Sequence, residues 1–234
     1  MLGSLFANDA ALSTKTYEFG DAASGRAYAV RVRCVPAENQ HVERWVPHVV
    51  WSAATETCAE LASPRHAPRD AFAFVRGASV LELGSGTGLC GMLCAELSGL
   101  ERGCVLTDGS AGAVAELERA VALNPECVRL GVAATQLRWG DDAQLAELLA
   151  QRGGRLFEVV VGTDVVYEAQ FVAPLLATAA AALREGGHLV LANHKFRFRA
   201  FNETVRASLA GFPLSLERHV LLSDQVDLLV FRRG

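Results

Sequence analysis

No apolar run in this chain reaches the ~18 residues that a membrane-crossing helix requires, so no span and no membrane partner are expected. The opening residues, MLGSLFANDAALSTK, lack a basic start followed by a long apolar stretch, and a secretory leader is not expected either. None of the six cysteines, at 34, 58, 90, 94, 104 and 127, forms a C-x-x-C pair. Cys90 and Cys94 stand four apart on one expected helix with no histidine beside them, which favours core packing over a metal site. Internal repeats and low-complexity blocks are missing. So is an excess of positive charge: the formal net charge is −4, which leaves no overall footprint for nucleic acid. These absences point to a reducing, soluble, intracellular setting; the cytoplasm is the expected compartment, with the nucleus as a second.

What the chain does contain is a large apolar share, 51% of 234 residues, with 21% charged. That composition excludes global disorder and suits one α/β domain, 1–234, with an N-terminal extension (1–70) before a core (71–234). Residues 1–14 read as loosely ordered. Tyr17–Gly20 and Ala27–Val35 read as a hairpin, because Tyr28, Val30, Val32 and Cys34 alternate with small or charged residues. Val49–Leu61, preceded by Pro47, reads as a helix, and 62–70 as a loop. From Ser79 strands and helices alternate: strands at 79–83, 103–107, 131–138, 157–162 and 188–192; helices at 88–98, 111–123, 142–151 and 170–184, the last stopped by Gly186–Gly187. This alternation predicts a parallel sheet covered on both faces. A helix at 200–210 then leads to 214–222 and 226–232, joined by Ser223–Asp224–Gln225 as a hairpin, which makes the last strand antiparallel.

The most informative segment is Val80–Leu89, VLELGSGTGL. A short apolar strand runs into Gly84, Gly86 and Gly88, and a helical pattern follows at once. Such a turn brings backbone N–H groups and a helix N-terminus to a ligand. Gly86-x-Gly88-x-x-Gly91 also satisfies the dinucleotide pattern, but its first glycine comes two residues late after the strand. Glu82 discriminates further. A carboxylate at the carboxyl edge of the sheet suits a ligand carrying an ammonium group, such as S-adenosylmethionine, better than a pyrophosphate.

Other residues collect at the same edge. Asp108 ends the second core strand, where an acid can accept hydrogen bonds from both ribose hydroxyls or cap the next helix, a task Ser110 could equally perform. Trp139, followed by Gly140, ends the third; its indole can border an adenine or simply pack in the core. Asp164 and Tyr167 follow the fourth, in GTDVVY. Trp51 taken alone reads as a helix-packing residue, and the histidines at 48, 66, 188, 194 and 219 as structural or exposed. Lys195, Arg197 and Arg199 interleave with phenylalanines, but three charges are few for a nucleic-acid stripe, and a solvated loop is the favoured reading.

Together these residues resemble methyltransferase family 16, the seven-strand protein-lysine methyltransferases, over roughly residues 45–195. The resemblance rests on Trp51 in a W-x-x-A helix, E-x-G-x-G-x-G at Glu82–Gly88, Asp108, Trp139–Gly140, and D-x-x-Y at Asp164–Tyr167. The glycine loop is common to class I methyltransferases; the W-G and D-x-x-Y pairing is more specific. The resemblance implies a Rossmann-like seven-stranded α/β sheet with an antiparallel last strand and S-adenosyl-L-methionine as cofactor. It implies cofactor contacts from Trp51, Gly84, Ser85, Gly86, Asp108, Trp139 and Thr163, to which the reading of the glycine loop adds Glu82 and Gly88, and catalytic roles for Asp164 and Tyr167. Thr163 departs from the small residue usual at its position. The expected activity is methylation of lysine side chains on a protein, with a chaperone or translation factor as the kind of substrate the resemblance brings. Arginine, RNA or small-molecule methylation, and a non-catalytic cofactor-binding module, are the competing readings on the same fold.

Overall fold

The computed structural model describes residues 12–21, 25–35, 47–196 and 198–234. Most of the segment expected to be loosely ordered, and Arg197 of the basic stretch, lie outside these residues.

Two strands, β1 (Ser13–Asp21) and β2 (Arg26–Cys34), form the antiparallel hairpin expected from their alternation. The inward residues of β2, from Tyr28 to Cys34, are buried. Helix α1 (Ser52–Ala62) starts later than the sequence pattern suggests, because Trp51 is extended and serves as its N-cap. The core then alternates: β3 (Val80–Leu83), α2 (Leu89–Ser98), β4 (Cys104–Asp108), α3 (Ala111–Ala122), a short α4 (Pro125–Arg129), β5 (Ala133–Gln136), α5 (Asp142–Gln151), β6 (Phe157–Thr163), α6 (Val172–Ala182), β7 (Leu183–His194), α7 (Phe201–Ser208), β8 (Leu214–Leu221) and β9 (Val226–Arg233).

Seven strands make one sheet in the order β5-β4-β3-β6-β7-β9-β8. The pairs from β5 to β7 are parallel, and β9 runs antiparallel to both of its neighbours, as expected for the last strand. Strand periodicity sends alternate residues to two cores. Val80, Leu106, Val161, Val190 and Leu228 pack under α1, α2 and the hairpin. Leu81, Val105, Val160, Leu191 and Leu229 pack under α5, α6 and α7. All six cysteines are buried free thiols. Among the described residues, no helix is long and apolar enough to cross a membrane.

Three local expectations need correction. Gly186–Gly187 do not stop α6: the helix ends at Ala182, Leu183 is already extended, and the glycines lie inside β7. There the strand jogs against β6, whose register shifts between Phe157 and Val159, and a Cβ at Gly187 would stand 2.9 Å from both Glu158 O and Arg184 O. The third core strand is only Ala133–Gln136, not 131–138, because Gly131 turns with a φ of +64° and the chain leaves the ladder before Trp139. Finally, α4 went unforeseen. Its five residues are too few to show a helical period, although Pro125 stands where proline favours the first turn.

Candidate functional site

The carboxyl edge of β3, β4 and β6 opens into a cavity of about 730 Å³, within the range of roughly 300–1,000 Å³ typical of small-molecule sites. Ten of the residues singled out in the sequence line it: Trp51, Glu82, Gly84, Ser85, Gly86, Asp108, Trp139, Thr163, Asp164 and Tyr167. Gly88 does not. It caps α2 with a φ of +77° and faces inward, where a Cβ would stand 2.7 Å from Leu117 Cδ2.

The glycine loop is shaped by what surrounds it. Gly84 has a φ of +65°, and a Cβ there would come within 2.8 Å of Val165 Cγ1 and 3.1 Å of Trp139 Cζ2. Gly86 has a φ of +51°, and a Cβ would meet Pro47 O at 3.2 Å. The loop is pinned to β4: Ser85 N–H donates to Thr107 O at 2.8 Å, and Thr107 N–H donates back to Ser85 Oγ at 3.0 Å. Protein packing and the left-handed backbone thus exclude a side chain at both positions, and both glycines line the cavity.

Glu82 lies at the floor of the cavity and is buried. Burial pushes its carboxyl up to about 8, against weaker downward pulls from Ser85 and the Gly91 backbone. Its Oε2 is buried without a hydrogen-bond partner. That oxygen lies under α2, where a Cβ at Gly91 would stand 2.5 Å from it.

Asp108 reaches the same space from β4. Its Oδ2 accepts the Gly86 N–H at 3.2 Å, its Oδ1 accepts the Ser110 N–H at 3.0 Å, and burial raises its carboxyl above the usual range. Capping of α3 falls to Ser110, whose Oγ accepts the Ala113 N–H. Trp139 is held in a turn: the Gly140 N–H donates to Thr178 Oγ1 at 2.8 Å, and the indole meets Phe171 edge-on, centroids 6.3 Å apart.

Asp164 leaves β6 with a φ of +53°, unusual for a residue with a side chain. Its Oδ1 accepts the His194 N–H at 2.7 Å and its Oδ2 the Ala53 N–H at 3.3 Å. Tyr167 is exposed at the cavity rim, its ring tilted against Phe171 at 5.0 Å. Phe171 and Pro174 also line the wall and escaped sequence reasoning. Phe171 is the N-cap of α6 and Pro174 lies in its first turn, while Tyr167 precedes the helix, so no shared periodicity pointed to them. Pro47, Val49 and Val165 were missed too, because nothing local marks an apolar residue as a pocket wall. Lys195 and Arg199 do not line the cavity. Lys195 Nζ donates to Asp224 O at 3.0 Å, and the Phe196 ring beside it is 84% exposed.

Comparison with known proteins agrees with this architecture. A family model described as lysine methyltransferase matches residues 35–206. The protein-lysine N-methyltransferase EFM3 of Chaetomium thermophilum is 34% identical over 104 residues, 44% of this chain and 31% of that protein. The aligned stretch thus amounts to about a third of the length of that curated relative. Among solved structures, the 16S rRNA N2 G1207 methyltransferase RsmC of Thermus thermophilus, in complex with AdoMet and guanosine, superposes with a TM-score of 0.57 at 17% identity. The match covers 94% of this chain and 51% of that one. A methyltransferase from Pyrococcus furiosus gives 0.51 at 16% identity, covering 69% and 78%. At such identities these two likenesses show the fold alone.

Proposed function

Because the chain belongs to the lysine methyltransferase family, we propose that it transfers a methyl group from S-adenosylmethionine to a lysine side chain of a protein. The observation that carries this reading is the cavity in which the glycine cradle, Glu82, Asp108 and two tryptophans meet Asp164 and Tyr167. The residues fit the cofactor. Glu82 lines the cavity, where its carboxylate can accept from an α-ammonium. Asp108 sits where ribose hydroxyls can donate to it, and Trp139 and Leu137 give an apolar slot for adenine. Trp51 closes the cavity from α1. Residues 1–70 act as an extension of the core 71–234, a reading supported by the buried residues that the hairpin shares with α2 and α3.

When bound, S-adenosylmethionine supplies a methyl group on a sulfonium, already activated for in-line attack by an amine. The protein's part is orientation and exclusion of water. Neutralising a lysine ammonium with an unperturbed pKa near ~10.4 costs about 4.6 kcal/mol at pH 7. The apolar wall of Val49, Val165, Phe171 and Pro174 disfavours the charged form and reduces that cost. Tyr167 at the rim and Asp164 behind it orient the amine; a carboxylate is too weak a base to strip an ammonium. The substrate is a cytoplasmic or nuclear protein, with chaperones and translation factors the first to try.

Calorimetry tests the cofactor: S-adenosylmethionine and S-adenosylhomocysteine should bind and NAD should not. Incubation with radiolabelled cofactor and cell extract, then mass spectrometry of labelled bands, tests the substrate. Label on lysine is the expected result; label on RNA, on arginine or on small molecules only would overturn the lysine assignment.

A further inference from the structure

Helix α1 carries Trp51 to the cavity, yet it has little of its own to hold its first turn. Trp51 occupies the N-cap, where its indole has no acceptor to offer, and the first turn contains no acidic residue. The Ala53 N–H, one of the donors that a helix start leaves open, is met from 111 residues away by Asp164 Oδ2 at 3.3 Å. The other oxygen of the same carboxylate takes the His194 N–H at the end of β7, and the Asp164 N–H donates to Ala192 O at 2.8 Å. One residue therefore knits α1, β6 and β7, and its negative charge lies at the positive end of α1. It does so with a φ of +53°, a left-handed backbone that aspartate and asparagine adopt more readily than other residues with a side chain. A side-chain oxygen fixes the turn beyond as well, since the Val166 N–H donates to the buried Asn193 Oδ1 at 3.1 Å.

We propose that Asp164 is a positioning residue for the cofactor half of the site, capping α1 in trans so that Trp51 is held over the cavity. This rests on the reading of the cavity as a S-adenosylmethionine site with Trp51 on its wall. It predicts a behaviour that a residue acting only on the substrate amine would not show. Loss of the Asp164 carboxylate weakens cofactor binding itself, and it does so through Trp51.

Asparagine tolerates the left-handed backbone but offers one acceptor oxygen, and its amide opposes either Ala53 N–H or His194 N–H, both donors. Asp164→Asn should therefore raise the Kd for S-adenosylhomocysteine at least about ten-fold, the scale of one lost hydrogen bond to a charged group. Hydrogen exchange should quicken in the first turn of α1 and less so elsewhere. Trp51→Ala should weaken binding by itself, and the double variant should be little worse than the weaker-binding single variant. Asp164→Gly removes the carboxylate and adopts the same left-handed backbone freely, and supplies the same readings should the asparagine variant not fold. Wild-type affinity in either folded Asp164 variant, or fully additive losses with Trp51→Ala, would overturn the proposal while leaving the cofactor assignment intact. No binding of S-adenosylhomocysteine by the wild type, with thermal melting confirming a folded protein, would overturn the cofactor assignment, and this inference with it.

Discussion

Glu82 gives the sharpest test of the cofactor site, because its proton can be counted. With its carboxyl pushed up to about 8, roughly nine-tenths of the protein carries a protonated Glu82 at pH 7. An α-ammonium placed beside it requires the carboxylate, so binding releases about 0.9 proton from the protein. The ligand's α-amine, carried on a free amino acid, is already protonated at that pH and takes up almost nothing, so the release is seen nearly whole. At pH 9 Glu82 has little left to release, and the release should largely disappear. The count is read by titrating S-adenosylhomocysteine calorimetrically in two buffers of different ionisation enthalpy. Glu82→Gln should abolish the release at pH 7 and weaken binding. The same change should stabilise the empty protein in alkali. A carboxyl whose folded value lies above its unfolded value near 4.5 gives stability that is complete below 4.5 and is lost as pH rises toward 8. Glutamine has no such loss, so its melting temperature should exceed the wild type's at pH 8, where the difference is on the order of a few kcal/mol. Tight binding by the wild type with no proton release at pH 7, or a glutamine variant of wild-type affinity, would refute the pairing of Glu82 with the ammonium.

Three further changes probe other parts of the site and fold. Asp108→Ala should cost about 1–3 kcal/mol of cofactor affinity, read by calorimetry, with the fold retained because Ser110 alone caps α3. Gly84→Ala places a Cβ 2.8 Å from Val165 and 3.1 Å from Trp139 at a φ of +65°; it should abolish cofactor binding and lower the denaturant midpoint. Asn124→Ala removes a buried side chain that accepts the Arg31 N–H at 2.8 Å and donates to Arg31 O at 2.7 Å. It should lower unfolding free energy by about 2–3 kcal/mol in urea titration, leaving cofactor affinity nearly unchanged, since neither residue lines the cavity.

The parts of this protein that depend on neighbouring residues were legible in the sequence alone. Val80–Leu89 declares a strand, a glycine turn and a helix because each needs only local spacing, and the same reading places Asp108 and Thr163 at strand ends, while Trp139 stands three residues past the end of β5. The alternation of apolar residues in β2 and the hairpin of β8 with β9 follow from a period of two, and the mixed sheet follows from their order. What tertiary structure decided are contacts between residues distant in the chain. That Glu82 is buried with an orphaned oxygen depends on α2 closing over β3. That Phe171, Pro174 and Pro47 share a wall with the glycine loop depends on three segments meeting at one sheet edge. Gly186–Gly187 read as a helix stop because glycine at a helix end is the common case; only the pairing of Leu183 with Phe157 shows that the strand has already begun. Asp164 is the clearest instance. Its type and its place after β6 are written in the chain, but the partner that sets its task, the Ala53 N–H, comes from another element, and a backbone donor carries no signature in sequence.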